Sequence, residues 1–236
     1  MELRDKKAVV SAVVALFWLA PALFGQTYAY QVRHEHLYKG CVGTLQVDAQ
    51  GVRYTQAGKA KHPHHWDWKW QDIQRFTLAP DTIEVTSYKD DIWLLGADRE
   101  FEFRALAGQS FTEVYAFLKD RLDQRLVAEL ALPAERPLWQ IPVKRLGRIE
   151  GSEGVLSVSL DTLTYESTKA SQSMTWRYKD IENIRTSDIF HLTLTSLYGS
   201  VEFQLKEALN ESRYDELWRR INREKGLKFL AEAAGK

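Results

Sequence analysis

One cysteine, Cys41, stands in 236 residues, so the chain closes no disulfide within itself and builds no multi-cysteine zinc site. Neither sign of charge is in excess. The 32 basic and 32 acidic side chains cancel, which leaves no global pull toward nucleic acid or an anionic membrane. Short signatures of common chemistries are missing too: no Gly-x-Ser-x-Gly, no His-Glu-x-x-His and no phosphate-binding loop occurs. No catalytic residue and no resident cofactor or metal is therefore expected. What is present is ordinary for a folded chain, with 44% hydrophobic and 27% charged residues, and this excludes wholesale disorder. Aromatics at 12%, including eight Trp, lean toward β-structure, where such rings pack well on a pleated surface.

Long apolar runs are absent except at the start. Arg4, Lys6 and Lys7 precede an uncharged run from Ala8 to Phe24, broken near its end by Pro21 and Gly25. Gln26-Thr27-Tyr28-Ala29 follows, with small side chains at Thr27 and Ala29. This is the charged, apolar and small-residue order of a secretory signal peptide, and residues 1–29 read as a signal peptide cut after Ala29 or as an uncleaved membrane anchor. Either way the rest of the chain is expected outside the cytoplasm: periplasmic, secreted or membrane-anchored. Membrane contact is expected only through an uncleaved N-terminal segment.

The strongest signal in the remainder is an internal repeat. Gly40-Cys41-Val42-Gly43-Thr44-Leu45-Gln46-Val47 and Gly151-Ser152-Glu153-Gly154-Val155-Leu156-Ser157-Val158 both read Gly-x-x-Gly-x-Leu-x-Val. A Tyr-ending strand follows each, at Gly51-Val52-Arg53-Tyr54 and Thr162-Leu163-Thr164-Tyr165. Trp68-Lys69-Trp70-Gln71-Asp72-Ile73 matches Trp176-Arg177-Tyr178-Lys179-Asp180-Ile181, and Phe101-Glu102-Phe103 answers Val201-Glu202-Phe203. A period this long is a duplicated domain, because solenoid repeats are about 20–50 residues.

Within each copy the apolar period changes from two to 3.6. Leu45/Val47, Ile83/Val85 and Phe101/Phe103 alternate with polar residues, as half-buried antiparallel strands do. Phe111, Val114, Tyr115, Leu118 and Leu122 then form one helical stripe, with Ser110 and Glu113 spaced as a capping box. In the second copy Tyr214, Leu217, Trp218 and Ile221 form the stripe, and Asn210 or Ser212 caps it. Pro133, Pro137 and Pro142 punctuate the middle, so the first helix is expected to stop near Leu132. The division is then 30–131 for the first domain, 132–142 for a linker and 143–232 for the second domain.

These residues resemble pleckstrin-homology-like domains, the broad superfamily that includes bacterial PH and GRAM-type domains. The resemblance rests on Gly-x-Leu-x-Val-x-x-x-Gly-Val-x-Tyr at 43–54, the aromatic strands ending in Asp72-Ile73 and Asp180-Ile181, the later alternating strands and the C-terminal helix. It implies a mainly β fold of two seven-stranded bent barrels, each capped by a C-terminal α-helix, and a binding role without catalysis. Phosphoinositide-binding relatives carry Lys and Arg around the first hairpin. Asp48-Ala49-Gln50-Gly51 and Ser159-Leu160-Asp161-Thr162 carry none at the turn, so head-group recognition is not expected.

The sharpest local feature is Lys59-Ala60-Lys61-His62-Pro63-His64-His65-Trp66-Asp67-Trp68-Lys69-Trp70. His62, His64 and His65 are candidate ligand-binding residues, with Trp66 beside them as a surface contact. Imidazoles bind zinc or copper, and His34 and His36 are additional candidates. The blander reading is a solvated hairpin loop, since the second copy reads Ala170-Ser171-Gln172-Ser173-Met174-Thr175 there. Asp72 and Asp180 read as turn or strand-end caps, and Cys41 as a buried small side chain rather than a nucleophile. The expected function is an exported, non-catalytic binding or scaffold protein of the cell envelope whose partner is another envelope protein. The alternatives are a carrier of a small apolar or lipid ligand and a metal-binding envelope protein.

Overall fold

The computed structural model describes residues 26–36, 40–91, 96–106, 108–132, 136–147 and 150–224. Most of the expected leader, residues 1–25, lies outside them. The first hairpins follow from alternation. Strands β1 (Tyr28–His34), β2 (Cys41–Val47) and β3 (Gly51–Gln56) pair antiparallel, with Tyr30, Val32, Leu45, Val47, Val52 and Tyr54 turned into one core. The chain continues through β4 (His65–Lys69), β5 (Ile73–Leu78), β6 (Thr82–Asp90), β7 (Asp98–Ala105) and α1 (Thr112–Leu118). A short β8 (Leu126–Ala128) leads to β9 (Trp139–Leu146), β10 (Ser152–Val158), β11 (Thr162–Ser167) and β12 (Met174–Arg177). Then come β13 (Ile181–Arg185), β14 (His191–Ser196), β15 (Gly199–Leu205) and α2 (Glu211–Glu224).

The fifteen strands of the described residues belong to one open sheet, ordered β13-β14-β15-β9-β10-β11-β12-β8-β5-β6-β7-β1-β2-β3-β4. The mainly β expectation holds. The sheet is continuous because β8 splices its halves, parallel to β5 and antiparallel to β12 through Ala128 and Thr175. Beneath it lie two hydrophobic clusters, one around Tyr54, Phe76 and Phe103 and one around Tyr165, Leu192 and Phe203. Glycine is required at one matching position in each half. A Cβ on Gly43 would meet the Thr55 carbonyl at 2.4 Å and the Tyr54 ring at 2.7 Å, and one on Gly154 would meet the Glu166 carbonyl at 2.2 Å and the Tyr165 ring at 2.7 Å.

Helix α1 is shorter than the sequence pattern suggests, ending at Leu118 rather than near Leu132. The segment that follows it is held from outside. The Arg177 guanidinium donates to the carbonyls of Lys119, Leu122 and Asp123, and Lys179 Nζ donates to Lys119 O and Leu122 O at 3.2 and 3.3 Å. These cations satisfy carbonyls that a longer helix would have used itself. Arg177 is in turn held by Asp180, both nearly buried, so Asp180 does more than cap a strand end. Nor does the capping box form. Ser110 Oγ donates to Pro80 O at 3.0 Å and accepts from Thr112 N at 3.3 Å, and Phe111 is the N-cap residue. In α2, Asn210 Oδ1 accepts from Arg213 N at 2.9 Å, as expected of a cap, while Leu217 and Ile221 are buried and Trp218 stands 40% exposed. Strand β9 opens at Trp139 and includes Pro142, inside the stretch expected to be linker. At the other end, a cut after Ala29 would remove the first two residues of β1.

Candidate metal centre

Four side chains with nitrogen or sulfur donors meet where β1, β2 and the entry to β4 come together. His34 closes β1 directly opposite Cys41, which opens β2. His36 follows His34 by two residues, the strand period that keeps both on one side. Two strands across, the backbone of His64 is clamped by Gln56. His64 N donates to Gln56 Oε1 and Gln56 N donates to His64 O, both at 2.9 Å. One ring nitrogen from each of His34, His36 and His64 falls within 4.8 Å of the others. Cys41 Sγ lies 3.2 Å from His36 Nε2 and 3.5 Å from His64 Nδ1.

Burial favours the neutral imidazole at His34 and at His36. His34 is 6% exposed, and burial holds its pKa down to about 4, with His36, His64 and Arg99 lowering it further against the Glu102 carbonyl. Burial, then His64, also lowers His36. His34 Nδ1 lies 3.0 Å from the Glu102 carbonyl. A carbonyl only accepts, so Nδ1 carries the proton and the Nε2 lone pair is free, the arrangement in which a backbone oxygen orients a ligating histidine. The Tyr54 hydroxyl sits 3.2 Å from Cys41 Sγ and from Cys41 O. Aromatic rings wall the cluster. Trp66 is 4.8 Å from His34 and 4.9 Å from His64, Tyr54 stacks on Trp66 at 5.4 Å, and Phe103 is 5.1 Å from His34.

Of the sequence candidates, His34, His36, His64 and Trp66 belong to this cluster, while His62 and His65 do not. His62 is exposed, and His65 is exposed with its Nδ1 3.2 Å from Thr55 Oγ1. Strand parity separates them: His64, Trp66 and Trp68 share one face and His65 takes the other. Trp66 is half-buried and packed against the core rather than presented as a surface contact. Trp70 leaves the strand in a turn of 3-10 helix and donates from Nε1 to Asp48 O at 3.1 Å. Cys41, read as a buried small side chain, is half-buried and borders the cluster, its Sγ within hydrogen-bond reach of His36, Tyr54 and His64. What the sequence did not single out was its place directly opposite His34, where it opens the next strand.

The matching corner of the second half has no imidazole. Arg145 pairs with Ser152 in β9–β10, as His34 pairs with Cys41. Ser152 Oγ and Tyr165 Oη lie 2.9 Å apart, and Arg145 Nη1 donates to Gln172 O at 3.4 Å. Hydrogen bonds close there what histidines surround in the first half.

No family model matches this chain, and no curated protein matches it. Among solved structures it is similar to the C-terminal domain of an unknown protein from Leishmania infantum, at 14% identity and a TM-score of 0.32, covering 47% of this chain and 94% of that one. It is also similar to the structure of the Spt16D Pob3N heterodimer, at 8% identity and a TM-score of 0.32, covering 72% of this chain and 82% of that one. Likenesses this distant carry no functional argument, and the reading of the site rests on its own donors.

Proposed function

We propose that this chain is a non-catalytic binding protein of the cell envelope, built from two copies of one pleckstrin-homology-like unit, whose first copy holds a transition-metal ion through His34, His36, His64 and Cys41. The convergence of three imidazole nitrogens within 4.8 Å, with a thiol 3.2 and 3.5 Å from two of those rings, carries the reading. A tetrahedral zinc-like site has ligand–ligand edges of about 3.3–3.8 Å. The cluster therefore needs a contraction of roughly an ångström to close on an ion. Cys41 lies outside that three-histidine group but within 3.5 Å of two of its rings; with it as a fourth donor the shell would be tetrahedral and closed, which favours holding the ion over turnover. The second half supports the same view: its corner is closed by Ser152, Tyr165 and Arg145, so the unit folds without a metal and the histidines are surplus to folding.

The carrier alternative has less behind it. The cavity of about 280 Å³ between the halves sets Arg75, Glu84, Glu129 and Arg145 among apolar side chains such as Leu126 and Trp176, and a larger one of about 620 Å³ carries Lys119, Asp120, Arg177 and Lys179; such charges do not suit a wholly apolar ligand. A protein partner remains compatible with the metal reading. The second half exposes Leu160, Ile189, Phe190, Leu197 and Trp218, which would suit a contact with another envelope protein. Export keeps its basis in the N-terminal pattern, with the cut moved ahead of Tyr28 so that β1 survives intact.

The test is metal content. Full-length protein is incubated with zinc, cobalt or copper, desalted and analysed by plasma mass spectrometry. One equivalent of one of these ions is expected, falling to background in His36→Ala and His64→Ala. No retained metal, or the same content in both variants, would remove the proposal.

A further inference from the structure

We infer that segment 228–231 of this chain docks on the open edge of the sheet at β13, parallel to it, as β8 lies along β5. Among the described residues β13 ends the sheet, and no strand lies on its outer side. The repeat says what belongs there. Asp72-Ile73 matches Asp180-Ile181, which sets Ile184 in the place of Phe76 and Arg185 in the place of Thr77. In the first half that edge is taken. Phe76, Thr77 and Leu78 pair with Leu126, Val127 and Ala128. Phe76 N donates to Arg125 O and Glu129 N donates to Leu78 O, both at 2.8 Å. Thr77 is buried there, whereas Arg185 is exposed. Two matching tyrosines register the same difference. Tyr214 Oη donates to Ile184 O at 3.3 Å, while the buried hydroxyl of Tyr115 has no partner where β8 covers the edge.

Residues 225–236 lie outside the described residues, and their sequence repeats that of β8. Arg125-Leu126-Val127-Ala128-Glu129-Leu130-Ala131 is answered by Lys228-Phe229-Leu230-Ala231-Glu232-Ala233-Ala234. A cation, two large apolar residues, Ala-Glu, an apolar residue and Ala recur in the same order. Leu126, Ala128 and Leu130 are the buried alternation of the first copy, and Phe229, Ala231 and Ala233 hold those positions in the second. Each segment also follows its helix. Four positions lead from Leu122 to Leu126 and eight from Ile221 to Phe229, a difference of about one helical turn. Helix α2 is the longer of the two, with 14 residues against 7. Polar side chains on β13 are no obstacle, because β5 carries Gln74 and Arg75 where β13 carries Glu182 and Asn183, and still takes β8.

A second copy of the chain is the poorer occupant. The strand that could meet such an edge is its β4, the counterpart of β12. Thr175 Oγ1 and Thr164 Oγ1 donate to Leu130 O and Leu132 O at 2.8 and 3.3 Å, which ties β8 to the second half. The matching pair in β3 and β4 is Arg53 with Asp67, and charges of this kind guard an edge against pairing.

The experiment cross-links the full chain in a Cys41→Ser background, which leaves no native thiol. Thr77 and Val127 are direct partners, so Arg185→Cys with Leu230→Cys places two thiols at the matching pair. Arg185→Cys with Lys236→Cys is the control out of register. Under mild oxidation the first pair is expected to close within one chain at least about tenfold faster than the control. Equal rates would overturn the inference. Disulfide-linked dimers would overturn it as well, by giving the edge to a second copy. Amide exchange reads the same edge without cysteines. The Ile184 N–H is expected to exchange at least about tenfold faster in Phe229→Asp than in the native chain, with the β14 and β15 amides unchanged. An unaltered Ile184 rate would contradict the docking. Should Phe229→Asp loosen the whole second half, the cross-linking rates decide.

Discussion

Cys41 Sγ and His36 Nε2 lie 3.2 Å apart across the connection between β1 and β2. Five residues separate them in the chain, yet His36 continues one strand and Cys41 begins the next. Metal binding at this pair is expected to be separable from folding. In metal-free protein, Cys41→Ser should change the unfolding free energy by less than about 1 kcal/mol, since a hydroxyl there can bond Tyr54 as Ser152 bonds Tyr165. The melting temperature gained on adding metal should vanish in the variant. Paired thermal melts with and without the ion check both halves of the statement.

Within the histidine-rich loop, only one residue of three is expected to matter. His64→Ala should weaken metal affinity by at least about tenfold, whereas His62→Ala and His65→Ala should leave it within about twofold. Strand parity turns His65 toward Thr55 and away from the cluster, and His62 is exposed in the loop before the strand. Calorimetric titration of the three variants reads this directly. Equal losses in all three would return the loop to the sequence expectation.

The start of β1 limits where the proposed leader could be cut. Tyr28 pairs with Val47, Ala29 pairs with Gln46, and the Tyr28 ring packs 5.4 Å from Phe117 of α1. A chain beginning at Tyr30 is expected to be less stable than one beginning at Gln26 by about 1–3 kcal/mol in urea unfolding. N-terminal sequencing of protein secreted by its own host should place the cut ahead of Tyr28. A mature chain starting at Tyr30 would contradict this.

Glu129 gives a pH signature. It lines the cavity between the halves, where burial first and Glu84 second raise its pKa, against the pull of Arg145 and Arg75. A carboxyl whose folded pKa lies above its unfolded value binds its proton more tightly in the folded state. Its ionised form therefore costs stability above the folded pKa. That cost disappears as pH falls through the folded value to the ordinary carboxyl range near about 4.3. Glu129→Gln is expected to raise the melting temperature at pH 7–8, and the gain should be gone near about pH 4. A gain independent of pH would point to packing instead of charge.

Much of the fold could be read from residues close in the chain. Leu45/Val47 and Leu156/Val158 announced strands by period two, and the Gly43–Tyr54 and Gly154–Tyr165 hairpins announced each other. The parts that escaped depend on residues far apart. Beyond Leu118 the chain leaves helix α1, and Arg177, more than fifty residues on, takes the carbonyls of Lys119, Leu122 and Asp123 there. A stripe continuing to Leu122 could not reveal that. The site was legible in part, since His34, His36 and His64 were all candidates, but not their convergence. Three histidines in four residues drew attention in sequence, yet a strand sends neighbours to opposite faces, so His65 turns away, His62 stays exposed in the loop, and only His64 meets His34, His36 and Cys41 across the sheet. Parity counted from the buried Trp68 picks out His64, and parity counted from Val32 picks out His34 and His36. Only the pairing of β1 with β2, and of β3 with β4, brings the two sets together.

The most direct test of the account is X-ray absorption fine structure at the edge of the bound metal in the loaded full-length protein. The account predicts imidazole scattering together with a single sulfur near about 2.3 Å, the sulfur disappearing in Cys41→Ser. A spectrum of oxygen and nitrogen neighbours with no sulfur, unchanged by that substitution, would contradict it.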